Sequence, residues 1–267
     1  MQDTESSSKT CTELKGFMQT RYFYGQRLDV RHFESEQKYV RGKLWMLNRL
    51  VHGFGVVCGL DVTLGDDRKS VVVQPGLALD KAGREIVVPC PSARQPIPAA
   101  EPEPDKPAGT APPSTEGPQK DCCDDHNYVT VCVCFHACES DPEPVLAGSC
   151  DSAQRCAPGA IRERYKIVIR PGKAPAIPVD TLIPDLLLGN RINYPAIARW
   201  VTEPCPCLPE DTCIPLANVR RLPSTGTIET TDIDITIRPV VYGNDLLYEL
   251  ILALLNGDPQ NRRSGKY

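Results

Sequence analysis

Ten of the thirteen cysteines fall in one stretch: Cys122, Cys123, Cys132, Cys134, Cys138, Cys150, Cys156, Cys205, Cys207 and Cys213, with His126 and His136 among them. Thiolate and imidazole are the ligands of tetrahedral zinc, which ties loops together in reducing compartments where disulfides do not persist. A structural zinc would draw on Cys138, Cys150 and Cys156, with a fourth ligand from Cys122 or Cys123. Cys205, Cys207 and Cys213 would make a second cluster. No C-x-x-C knuckle is present, so the spacing also admits disulfides or free buried thiols. A catalytic zinc would further need an open coordination position beside an acid or base such as His136 or Glu139. The four histidines form no HExxH motif, which argues against that chemistry.

A second candidate is the carboxylate pair Asp80 and Glu85, which flanks a tight turn at Lys81, Ala82 and Gly83. The pair has the residue types of a general acid and base. Turn chemistry and a rim ion pair with Arg84 account for it more simply. No G-x-S-x-G elbow, P-loop or dinucleotide-binding glycine pattern occurs, so an enzyme is not expected. A net charge of -4 and a pI near 5.7 leave no electrostatic footprint for nucleic acid or an anionic membrane. The longest apolar run, Leu246 to Leu255, is broken by Glu249 and is about half of what a bilayer requires, so no membrane insertion is expected. The first residues, MQDTESSSKT, lack a basic region followed by an apolar core, and a soluble cytoplasmic protein is the expectation.

These residues must be positioned by a mainly β, α+β chain. One long helix should begin near Asp29, whose side chain can cap the first turn, and end at Gly53 and Gly55. Phe33, Val40, Leu44, Leu47 and Val51 recur at steps of seven, four, three and four, a single apolar stripe. Glu34, Lys38 and Arg41 occupy the other face. Leu44, Trp45, Leu47 and Leu50 are therefore expected in the core. After the helix, VVCGLDVTL and VVVQPGLALD read as strands, the second broken at Pro75 and Gly76, and REIVVP returns antiparallel.

Ten prolines between Pro89 and Pro118 preclude a helix or an inner strand, so an extended spacer divides the chain. The strand from His126 to Cys138 puts Val129, Val131 and Val133 on one face and Cys132, Cys134, His136 and Cys138 on the other. IRERYKIVI follows as a second strand, NRINYPAIARWV holds a short helix after Pro195, and IPLANVRRL with TIETTDIDITIRP reads as a hairpin. The expected division is a mobile segment 1–20, a helix-braced β domain 21–90, a Pro-rich linker 91–121, a Cys-rich β domain 122–243, and a C-terminal helix and tail 244–267. The terminal helix carries Leu246, Leu247, Leu250, Ile251, Leu254 and Leu255, a broader apolar surface than one buried stripe needs.

The segment RYFYGQRLDVRHFESEQKY, followed by HGFGVVCGLDVTL and PGLALDKAGREIVVP, resembles the N-terminal pattern of baseplate subunits of contractile injection machines, in particular the type VI secretion baseplate trimer proteins. The matching residues are Tyr24, Gly25, Leu28, His32, Phe33, Gln37, Gly55, Val56, Pro75 and Gly76. RERYKIVI and CIPLANVRRLPSTGTIETTDIDITIRP are similar to segments of phage tail-fibre and baseplate proteins. The Pro-rich linker and the cysteine cluster depart from that pattern. The resemblance implies an assembly component of a phage-tail-like injection system, acting in the cytoplasm or within a released particle. It also implies other baseplate or tail subunits as partners, and a homo-oligomer, commonly a trimer. The residues themselves leave two other classes open: a free-standing zinc-stapled binding module and a zinc-dependent hydrolase.

Overall fold

The computed structural model describes residues 16–99, 127–145, 156–178, 185–188, 191–221 and 226–257. Cys122, Cys123 and Cys150, and with them half of the first expected zinc set, lie outside these residues, as does most of the Pro-rich linker.

The fold is mainly antiparallel β with a long N-terminal and a shorter C-terminal helix, as the sequence predicts. Helix α1 spans Val30–Leu47 and continues through one π-helical turn, Asn48–His52, to Gly53 at φ +79°. The next strands are β1 (Gly55–Gly59), β2 (Val62–Leu64), β3 (Ser70–Val73), β4 (Gly76–Leu79), β5 (Glu85–Val88) and β6 (Gln95–Pro96). Two of the strands expected from the sequence are each cut in half. β1 pairs with β4 and β4 with β5, whereas β2 pairs with β3 and β3 with β6. Both strands switch sheets at the same corner, where Leu60 N–H donates to Pro75 O (3.1 Å) and Gln74 N–H to Asp61 O (2.8 Å). Pro75 marks that corner, where a ladder donor is not required.

Four further strands, β7 (Tyr128–Pro144), β8 (Cys156–Pro171), β11 (Ile214–Arg220) and β12 (Ile233–Asp234), form one sheet in the order β12-β11-β7-β8. β7 and β8 are longer than expected and form a ribbon paired from Val129↔Pro171 to Pro144↔Cys156. Only the base of that ribbon is covered, because β11 reaches no further than Val133. A two-stranded piece, β9 (Leu187–Leu188) with β10 (Arg191–Ile192), precedes helix α2 (Tyr194–Trp200), and helix α3 spans Asn244–Gly257. The expected hairpin partner of β11 shrinks to β12, because Thr230–Asp232 turns as a 3-10 helix held by Glu229 and Asp232.

The expected two-domain division does not hold for the core. Val56, Leu60, Val71, Val73 and Ile86 from before the Pro-rich segment share one buried cluster with Val129, Val131, Val133, Leu216 and Val219 from after it. The segment itself starts as an ordered edge: Ser92 N–H donates to Val73 O, Ile97 N–H to Lys69 O, and β6 tolerates Pro96 because an edge strand has an unpaired side.

Candidate functional site

Helix α1 starts where Asp29 places it. Val30 N–H donates to Asp29 Oδ1 (2.6 Å), and Asp29 N–H donates back to His32 Nδ1 (3.1 Å). His32 thus fills the place that a glutamate or glutamine takes in the usual capping box. The lone histidine of the family-like segment has a structural task.

The chain grips α1 on two sides. Phe17 packs edge-on to Tyr39 at 6.4 Å and Thr20 Oγ1 donates to His32 O. At the other end Asn48 donates through Nδ2 to Gly83 O and to Glu85 Oε1, both at 2.9 Å. Gly83 has φ +86°, and a Cβ there would overlap the Trp45 carbonyl oxygen, so glycine alone permits this approach.

Neither grip touches the apolar stripe. Phe33 is 53% exposed, Leu44 48% and Leu47 51%, and no residue of α1 is buried. The expectation that Leu44, Trp45, Leu47 and Leu50 enter the core is overturned: Leu44 and Leu47 are exposed, and Trp45 and Leu50 are half-buried. The periodicity is real, but among the described residues no surface covers it. Around the helix start, Tyr22, Phe23, Tyr24, Leu28 and Val30 are exposed as well.

Helix α3 shows the same condition, with Leu246, Leu247, Leu250, Ile251 and Leu254 all exposed. It leaves the molecule from the edge at which α1 enters. Val56 N–H donates to Pro239 O (2.8 Å) and Val241 N–H to Val56 O (3.0 Å), so the strand that follows α1 is stitched to the segment that precedes α3. Exposed apolar surface concentrated in this way marks association sites.

The carboxylate pair is structural. Asp80 is fully buried and accepts from Ala82 N–H, Arg84 N–H and Arg84 Nε, while Glu85 receives Asn48. The ion pair expected at the rim lies inside instead, with Arg84 stacked 4.5 Å over the Phe135 ring and bonded to Thr212 Oγ1.

The cysteines are dispersed. Cys138 and Cys156 lie on neighbouring strands, but Cys156 faces Pro144, six residues along β7 from Cys138. At about 3.3 Å per residue that is roughly 20 Å, too far for one zinc. Cys213 forms a disulfide with Cys134, and Cys207 is also disulfide-bonded, so of the second expected cluster only Cys205 keeps a free thiol. The reason is the register: β11 pairs Ile214 with Val133, which brings the preceding residue of one strand beside the following residue of the other. Among the described residues no three His, Cys, Asp or Glu side chains are grouped to hold a metal.

Next to the disulfide a cleft of about 350 Å³ is lined by Lys81, Thr130, Cys132, Arg170 and Asp211. Burial pushes the Cys132 thiol up, away from the reactive thiolate. Arg170 holds Asp211 through two hydrogen bonds, 2.5 and 2.8 Å, and the carboxyl is lowered to about 2, chiefly by that contact. These charges satisfy each other.

No protein-family model matches the chain, and no curated protein is similar to it in sequence. Among solved structures it is similar to one described as the crystal structure of TssK, with a TM-score of 0.39 and 11% identity over 82% of this chain. The match takes in 41% of the TssK chain, so this protein spans about two fifths of that length.

Proposed function

We propose that this chain is a structural, non-catalytic subunit of a baseplate in a phage-tail-like contractile injection system, working as a homo-oligomer against other baseplate or tail subunits. The observation that carries the reading is the pair of exposed apolar helices, α1 and α3, joined at one edge of a β body whose own core is complete without them. Such a molecule offers rigid surface for multivalent assembly and needs no reactive pocket. The injection-system class is supported by the resemblance around Tyr24, Gly25, Leu28, His32 and Phe33. The structure puts Tyr24 and Phe33 on the surface and gives His32 to the helix cap.

The test is incorporation. A tagged full chain in its own cells should sediment with tail-like particles in gradients and remain with them after purification. Truncation before Asn244 should abolish incorporation while the remaining chain keeps its β circular dichroism. A chain that never enters particles, and runs as a single copy by native mass measurement, defeats the reading.

A further inference from the structure

The exposed stripe of α1 is more regular than the five apolar residues suggest. Val30, Phe33, Gln37, Val40, Leu44 and Leu47 succeed one another at steps of three, four, three, four and three, and every one of them is exposed. On the opposite side His32, Ser35, Tyr39, Gly42, Met46 and Arg49 are half-buried by the chain itself. The helix therefore lies with its more polar back against its own molecule and its apolar seam outward. A helix serving its own globular core carries a wider stripe that faces inward. A strict alternation of three and four is the 3.5-residue period of helices that supercoil around one another.

We propose that the seam is closed by the α1 helices of further copies of this chain, packed in parallel and in register. The inference deepens the assembly reading above and rests on it only for the expectation that copies meet. Gln37 chooses the direction. It is the one polar residue of the seam, and only in a parallel, in-register bundle does it meet its own counterpart, amide to amide. An antiparallel pairing centred on the helix would press it against Val40.

One flanking charge pair favours the parallel arrangement, although the same spacing one heptad earlier sets Asp29 beside Glu34, two like charges at the helix start. Glu36 and Arg41 flank the seam on opposite sides and lie five residues apart, the spacing at which flanking residues of neighbouring parallel helices meet. Glu36 is half-buried, and its Oε2, covered within the single chain, has no hydrogen-bond partner among the described residues, so the carboxylate must turn outward to meet a second copy. Arg41 is held over the Trp45 ring, at 5.9 Å, rather than by a carboxylate. Among the described residues neither side chain is paired with an opposite charge.

The experiment is mass measurement by light scattering on the full chain over a dilution series, with matched variants. Wild type should run at a multiple of the single-chain mass. The double variant Val40→Asp, Leu44→Asp should run as one copy with unchanged circular dichroism, since both side chains are exposed in the single chain. Its melting temperature should not vary with concentration, whereas that of the wild type should rise with it. A wild type that is a single copy at every concentration overturns the inference. So does a double variant that keeps the wild-type mass; that outcome would move the contact elsewhere and leave incorporation into particles, and hence the assembly reading, untouched. Should the double aspartate variant fail to fold, the charge pair decides. Glu36→Arg alone should weaken association roughly threefold or more at low salt, and adding Arg41→Glu should restore it. In an antiparallel bundle the positive charge introduced by Glu36→Arg would face Lys43 instead, and Arg41→Glu could not relieve it. Association that stays weakened in the double charge variant therefore overturns the proposal.

Discussion

The β body and helix α1 are built from the same kinds of residue and use them in opposite ways. In the body, Val71, Val73, Ile86, Val131, Leu216 and Val219 are sealed from solvent by strands from both ends of the chain. In α1, an equally clear apolar period points outward, and what fixes the end of the helix to the body is polar: Asn48 on Gly83 and Glu85, and a close backbone approach at Trp45. Periodicity tells which residues share a face. Where the mate of that face resides is decided by long-range geometry, and here none of the described residues covers it.

The sharpest way to break this comparison is one truncation on each side of it. Leu216→Ala empties a fully buried site and should cost about 3–5 kcal/mol in urea unfolding, a large share of the stability of any domain. Leu44→Ala, measured where the chain is a single copy, should move stability by no more than about 0.5 kcal/mol. A loss at Leu44 that matched the loss at Leu216 would mean that the seam packs within the chain, and the distinction between the two regions would vanish.

A smaller effect probes how α1 is held at its exposed start. Asp29→Ala or His32→Ala removes one half of the reciprocal cap and should cost about 1 kcal/mol, concentrated in faster hydrogen exchange of the amides from Val30 to Phe33. His32→Gln should keep the wild-type exchange pattern, because glutamine can accept the same Asp29 N–H. Equal effects of the alanine and glutamine variants would remove the capping role from His32. The β body should be indifferent to all three.

Much of the local structure is legible because it is written in neighbouring residues. Asp29 and Gly53 bracket the helix, Lys81 to Gly83 turn the hairpin, and Asn244 opens α3. What escapes is what two distant segments decide together. The β11 register that joins Cys213 to Cys134 links residues 79 apart in sequence, and nothing near either cysteine specifies it. The single core joining the segments on both sides of the Pro-rich stretch is of the same kind. Composition correctly bars a helix and an inner strand from the described start of that stretch, but it does not foresee that Gln95 and Pro96 dock as an edge. The surface role of α1 is half legible. The stripe can be counted from the sequence, but a stripe is usually buried by its own chain, and that habit points inward where this helix faces out.

The smallest expected effect lies at the rim of the β body, where Arg170 on β8 clasps Asp211 just before β11. The carboxyl is lowered from its ordinary 3.8 to about 2 in the folded chain, first through the hydrogen bonds from Arg170. A lowered carboxyl favours the folded state at every pH above its ordinary value. That advantage declines as pH falls from about 4 to 2, and it is gone once both folded and unfolded forms are protonated. The side chains of Arg170 and Asp211 are 39% and 47% exposed, so solvent screening holds the contribution to about 1 kcal/mol or less. Asp211→Asn should accordingly lower stability slightly at pH 6 and leave it nearly unchanged below about pH 2, flattening the acid limb of the stability profile. Leu44→Ala, measured across the same range, should leave that limb as it is, since the seam holds no carboxylate. An unaltered acid limb in Asp211→Asn would show that the clasp contributes nothing to folding, and the body would then owe its stability at this edge to the apolar contacts and the Cys134–Cys213 bridge.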